Sequence, residues 1–157
     1  MFTPTVIGQK YRHFGALLLV AVLAPHPAFA TLGEPETSVA SDAAEFKASV
    51  KSMEQANYRV HQIQLPSGTV LREFAAPDGI VFAVAWNGPS MPDLRQTLGA
   101  YFNAFAAAAK APHGGHHMLQ VQQDQFVMQS SGHMRAFTGR AYLPQALPAG
   151  VAPDELH

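Results

Sequence analysis

Seven consecutive apolar residues, Ile80-Val81-Phe82-Ala83-Val84-Ala85-Trp86, stand between two turn signals, Pro77-Asp78-Gly79 and Asn87-Gly88-Pro89. A run this short, apolar at every position and bounded by breakers, reads as a strand buried on both faces. It belongs in the interior of a sheet. Simple alternation puts Ile80, Phe82, Val84 and Trp86 on one face and Val81, Ala83 and Ala85 on the other. The bulkier face is expected to meet a layer of helices.

The residues around this strand supply the other elements. Tyr58 to Leu65 alternates in β-forming residues, Pro66-Ser67-Gly68 makes a turn, and Thr69 to Ala75 returns as a second strand. Upstream, Asp42-Ala43-Ala44-Glu45 has the form of a capped helix start. Phe46, Val50 and Met53 come after it at four- and three-residue spacing, which predicts a helix running to about Ala56. Downstream, Ser90-Met91-Pro92-Asp93 opens a second helix, with proline in its first turn and Asp93 at the positive end of its dipole. Leu94, Leu98, Tyr101, Phe102 and Phe105 share one of its faces, and it runs to Lys110 before Pro112 and Gly114-Gly115 end it. Three shorter strands complete the pattern, His117 to Gln122, Gln125 to Ser130 and His133 to Leu143, with Ser131-Gly132 as the plainest turn among them. The expected fold class is therefore α+β: an antiparallel sheet of about six strands with two helices packed on one face, in the order αβββ-αβββ. Residues 41–144 form the single domain, residues 31–40 a flexible arm, and residues 145–157 a Pro/Ala/Gly-rich tail that packs loosely at first and then frays.

The chain before residue 31 has a different character. Lys10 and Arg12 precede an apolar run from Phe14 to Ala24, which Pro25, His26 and Pro27 stop, and Ala28-Phe29-Ala30 places small residues ahead of a cleavage point. This is the pattern of a secretory signal cleaved after Ala30. A membrane-spanning helix needs about twenty apolar residues, more than this run provides. The expected location is the periplasm, with the extracellular medium as the alternative, and no membrane span remains after cleavage. Removing Lys10 and Arg12 from ten basic residues leaves eight against eleven acidic ones, a mild negative charge with no footprint for nucleic acid. There is no cysteine, so thiol catalysis, disulfides, iron–sulfur clusters and thiolate metal sites are excluded.

Several runs resemble a known family: Leu65-Pro66-Ser67-Gly68-Thr69-Val70-Leu71-Arg72-Glu73, Pro77 to Trp86, Gly88-Pro89, Met91-Pro92-Asp93-Leu94-Arg95, and Ser131-Gly132-His133-Met134-Arg135-Ala136-Phe137-Thr138-Gly139-Arg140-Ala141-Tyr142-Leu143-Pro144. They are similar to exported Gram-negative bacterial proteins known as domain of unknown function 2844, over most of residues 31–151. The resemblance implies an exported one-domain protein in the periplasm. It implies no activity, cofactor or catalytic residue.

Four groups of residues invite a chemical reading. His113, His116 and His117, in His113-Gly114-Gly115-His116-His117, place three imidazoles on a glycine-flexed loop that can close around Zn or Cu, although a solvated loop gathers His and Gly without purpose. Arg72 and Arg135, projecting from one exposed face, can form an anion or carboxylate subsite. With Glu73 and Arg140 they equally suit a solvent-facing row of cross-strand charge pairs, the reading the alternation favours. Ser131 and His133 share a strand face without an orienting acid or oxyanion hole, so they read as turn residues. Trp86 and Tyr101 can stack a sugar or peptide, but core packing is the commoner fate. No nucleophile elbow, HExxH, P-loop or dinucleotide fingerprint occurs. The reading is a non-enzymatic exported binding or interaction module without a catalytic or cofactor-binding residue, its partner an envelope protein or a small ligand. The alternatives are a metal-handling protein using the His113–His117 loop and a hydrolase whose site the sequence hides.

Overall fold

A computed structural model of the chain describes residues 32–39, 43–44, 48–110 and 118–157. Residues 1–30, expected from the sequence to be a signal peptide, and His113, His116 and His117 lie outside the described residues. Among the described residues seven strands form one sheet: β1 (Ser49–Glu54), β2 (Arg59–Gln64), β3 (Val70–Ala75), β4 (Val81–Gly88), β5 (Met118–Gln123), β6 (Phe126–His133) and β7 (Ala136–Tyr142). Their order is β1-β2-β3-β4-β7-β6-β5, and every neighbouring pair is antiparallel. Two meanders thus meet at β4 and β7, with β1 and β5 at the outer edges. Between them the chain crosses over through α1 (Leu94–Leu98), a 3-10 turn (Gly99–Tyr101) and α2 (Phe102–Lys110), a single helical run of 17 residues. The Asp93 side chain caps it by accepting hydrogen bonds from the backbone N–H groups of Arg95 and Gln96.

The fold is therefore mostly β, and the expected αβββ-αβββ arrangement of two helices on six strands is incorrect. The error lies in the segment that reads as a first helix. Ala43 and Ala44 are helical, but Ser49 to Glu54 is strand β1, paired residue for residue with β2 from Ser49↔Gln64 to Glu54↔Arg59. Phe46, Val50 and Met53 fit a helical stripe, yet Ser49, Ser52 and Asn57 are poor interior helix residues. The Ala56-Asn57 turn, closed by a Gln55 N–H to Tyr58 carbonyl hydrogen bond, makes the segment half of a hairpin. Tertiary pairing overrides a spacing compatible with either state.

Strand β4 does lie inside the sheet, and Val81 to Trp86 are all buried. Its faces are not those that simple alternation gives. Ala75 pairs with Val81 and Phe74 with Ala83, so Phe82 has no partner on β3. This bulge adds one residue to β4 and turns everything before it over. Val81, Val84 and Trp86 face the helix, packing with Ile63, Leu71, Leu98 and Met128 and against Tyr101, Phe102 and Phe105. Phe82 joins Ala83 and Ala85 on the opposite face, with Val60, Phe74 and Leu156. There Tyr58, Phe74 and Phe82 form an aromatic cluster with centroids about 6 Å apart.

Neither end of the described chain is loose. The segment expected as a flexible arm lies against the start of β4: the Gly33 N–H donates to the Val81 carbonyl, the Val81 N–H to Glu34, and the Glu36 N–H to Gly79. Leu32 and Val39 are buried in the helix-face core. The C-terminal segment covers part of the other face, where Leu147 and Val151 pack and Leu156 is fully buried. Arg140 holds it by donating to the Pro153 carbonyl and to Asp154. The spaced aliphatic residues of these two segments add to the cover that the helical run after Asp93 gives the sheet.

Ser131-Gly132 is not the turn it resembles. Both residues lie in β6, and the chain reverses at Met134-Arg135, where Arg135 takes a positive φ of 66°. Gly132 and Gly139 instead give room to rings from the residues paired with them, Phe137 and Trp86. A Cβ on Gly139 would stand 2.2 Å from Trp86 Cζ2 and 2.9 Å from the Gln129 carbonyl. Gly139→Ala is therefore expected to destabilise the fold by about 1–3 kcal/mol, as overpacking does. A denaturant titration showing no loss would mean that the indole does not lie across β7.

Candidate functional site

On the face that carries the C-terminal segment, period-two alternation and the strand register assemble two adjoining rows of side chains. Arg72 on β3 lies beside Ala85 on β4, then Arg140 on β7, Gln129 on β6 and Gln120 on β5. The next row runs Asn87, Thr138, Ser131 and Met118. With strands about 4.8 Å apart, the first row spans roughly 19 Å. The C-terminal segment covers the Phe74–Phe82 end of this face and reaches Ala85 and Arg140, where Leu156 and His157 form a wall. The open remainder is a groove of about 520 Å³ floored by these rows apart from the buried Ala85.

The two arginines in the floor differ in what they touch. Arg140 donates from Nε to Gln129 Oε1 at 3.0 Å, from Nη1 to the Pro153 carbonyl at 2.5 Å, and from Nη2 to Asp154 Oδ1 at 3.3 Å. It holds the groove wall. Arg72 is half-buried, and its cross-strand neighbours, Gln62 and Ala85, are uncharged. Among the described residues its guanidinium makes no hydrogen bond or ion pair. A row of cross-strand charge pairs is therefore not what surrounds it. Glu73, its sequence neighbour, points the other way and is fully buried on the helix face opposite His61.

A smaller cleft of about 390 Å³ adjoins the groove and shares Asn87, Ser131 and Thr138 with it. Arg135, in the β6–β7 turn rather than in a strand, lines it together with His133. The structure thus places Arg72 and Arg135 in neighbouring depressions, not in one row. Trp86 is core, 1% exposed, and Tyr101 stacks on Phe126 with ring centroids 5.2 Å apart. Among the described residues no three His, Cys, Asp or Glu side chains are grouped so as to hold a metal ion.

One polar cluster has no signal in the sequence. Glu36 accepts hydrogen bonds from Arg59 and lies 3.1 Å from His61 Nε2, while His61 Nδ1 lies 2.8 Å from Ser52 Oγ. Arg59 also donates from Nε to Glu54, at 2.5 Å. Alternation along β2 puts Arg59 and His61 on one face, and the hairpin brings Ser52 opposite His61; only the folded course of residues 32–39 brings Glu36. The connectivity of serine, imidazole and carboxylate is that of a hydrolytic triad. Here, however, the carboxylate charge is already shared with Arg59, and neither groove includes Ser52. The cluster reads as a clasp that ties the N-terminal segment to β2.

The chain belongs to the protein family of unknown function DUF2844. The family model matches residues 28–156. No curated protein and no solved structure matches the chain. The family thus carries the whole described fold but assigns the groove no ligand.

The clasp has a testable electrostatic signature. Hydrogen bonds from Arg59, aided by His61, hold the Glu36 carboxyl below its ordinary value of 4.5, against the opposing effect of its partial burial. A carboxylate with a depressed folded value contributes stability that is present above the unfolded value and lost as pH falls through the folded one. Acidification below about pH 4.5 should therefore weaken the wild type more than Glu36→Gln, which has already lost the contribution. Parallel denaturant titrations near neutral pH and at about pH 3 measure it, and equal acid sensitivity of the two proteins would exclude the clasp.

Proposed function

We propose that this member of the DUF2844 family is an exported, non-enzymatic binding protein that holds a small polar ligand in the groove between β3 and β5. The groove carries this reading. Its volume of about 520 Å³ falls within the roughly 300–1,000 Å³ usual for small-molecule sites. Its floor is built from strands, so Arg72, Asn87, Gln129, Ser131 and Thr138 stand on a rigid sheet at fixed spacing, an arrangement suited to recognising a ligand of defined shape. Among the described residues the floor offers a cation, amides and hydroxyls, but no carboxylate and no nucleophile paired with a base.

Export rests on the first thirty residues, where basic, apolar and small-residue segments come in the order a signal peptidase reads. The family match beginning at residue 28, near the expected cleavage after Ala30, fits a leader that is separate from the domain. Intact-mass measurement of protein recovered from the periplasm should give an N-terminus at Thr31. A membrane-bound product retaining Met1 would remove export from the reading.

Ligand binding is tested by thermal shift against a panel of amino acids, short peptides, sugar acids and polyols. A ligand that binds only the folded state stabilises it by RT ln(1 + [L]/Kd), about 2.7 kcal/mol at a hundredfold excess over Kd. At least one class should raise the melting temperature of the wild type and leave Thr138→Trp, whose indole fills the groove, unmoved. Shifts that survive in Thr138→Trp would place the site elsewhere.

A further inference from the structure

We infer that the groove recognises a carboxylate carried next to an amide, as in a peptide C-terminus or an N-acyl amino acid, with the carboxylate on Arg72. The inference rests on the groove being the ligand site and specifies which chemistry enters it. Arg72 is the starting point. A half-buried guanidinium with no partner among the described residues keeps its five N–H donors available, and its planar fork matches a carboxylate in two parallel hydrogen bonds. Among the described residues no carboxylate pairs with it: Gln62 and Ala85 flank it, Glu73 lies on the other face, and Asp154 is engaged by Arg140.

The supply of positive charge favours a ligand with a single negative charge. A phosphate dianion generally draws on more than one cation, and the next guanidinium, Arg140, spends donors on Gln129, Pro153 and Asp154. One fork free of partners in a neutral setting is the complement of one carboxylate.

The rest of the floor selects the group bonded beyond the carboxylate. Because Gln129 Oε1 accepts from Arg140, its amide nitrogen is the atom left to face a ligand acceptor. Asn87 and Gln120 add two more carboxamides, each able to donate and accept as a peptide group does. At the far end Met118, 69% exposed on the edge strand beside Gln120, stands as an adaptable contact for an aliphatic group. From Arg72 outward, the groove asks for a carboxylate, then an amide, then an apolar end.

Isothermal titration separates these demands. The probes are an acetylated aliphatic dipeptide with a free C-terminus, the same dipeptide amidated, an N-acyl glycine, a sugar acid and inorganic phosphate. The free acid and the N-acyl glycine should bind, and the amidated dipeptide should bind roughly ten- to a hundredfold more weakly, the range for losing a charged hydrogen-bonded pair. Arg72→Gln should weaken the free acid by a similar factor and bring it level with the amide, while Arg72→Lys should restore part of the difference. Circular dichroism of each variant checks that the sheet is intact; among the described residues Arg72 has no partner whose loss would unfold it. Equal binding of acid and amide by the wild type, an unchanged affinity in Arg72→Gln, or a preference for phosphate or the sugar acid would each overturn the inference. If neutral probes bind in a manner abolished by Thr138→Trp, the groove remains a binding site and only the carboxylate assignment fails. If no probe binds and no panel member shifts the melting temperature, both readings fall.

Discussion

The pairing of β4 with β7 joins everything else in this protein. Each strand closes a meander of its own, so without this seam the chain would be two small sheets, each with an exposed edge and a half-covered face. The seam can form because Trp86 and Gly139 are directly opposed, the ring of one occupying the space that the other leaves empty. Buried on the helix side, the indole also fills the angle between the two meanders and the helical run. A second pair of the same kind, Phe137 with Gly132, continues the pattern into β6. In an antiparallel sheet such aromatic–glycine oppositions fix register as firmly as a bulky pair, because a shift by one residue would set the ring against a Cβ.

The bulge at Phe82 decides what each face becomes. By turning Phe82 away from the helix, it supplies the opposite face with a large aromatic nucleus, and Tyr58, Phe74 and Leu156 gather on it. That nucleus sits at one end of β4. Towards the other end the same face carries Asn87 and polar neighbours on β3, β6 and β7, beside which Leu156 and His157 stand as a wall. One irregularity in one strand thus divides a single sheet face into a packed half and an open half, and the groove is the open half.

Much of this architecture is readable from residues alone. The positions of β2, β3, β4 and the helical run after Pro92 come from period and from proline and glycine punctuation, because those signals act within a few residues. The segment from Ser49 to Glu54 misleads because its apolar spacing suits a helix or a strand equally, and only pairing with β2 settles the matter. Alternation misassigns the two faces of β4 because a bulge depends on how two distant strands fit, and no local signal announces it. Arg72 stands out in the sequence as a charged residue in a strand, but whether its neighbours are acidic or neutral requires the register. The Glu36 clasp is illegible for the same reason, since the course of residues 32–39 is set by what they pack on.

The helical crossover between the meanders has a kinetic meaning. Within each meander, hydrogen bonds join strands that are adjacent in sequence, and such contacts close short loops. The β4–β7 seam joins strands separated by the helical run and two further strands, and its closure entropy must be met before its contacts can repay it. Formation of the two hairpin arrays first, and of the seam last, is the order this wiring favours. In that order the outward edges of β4 and β7 are both open in the same intermediate, each a ready template for another chain. A protein wired this way is most exposed to domain exchange and aggregation at the step just before it becomes whole.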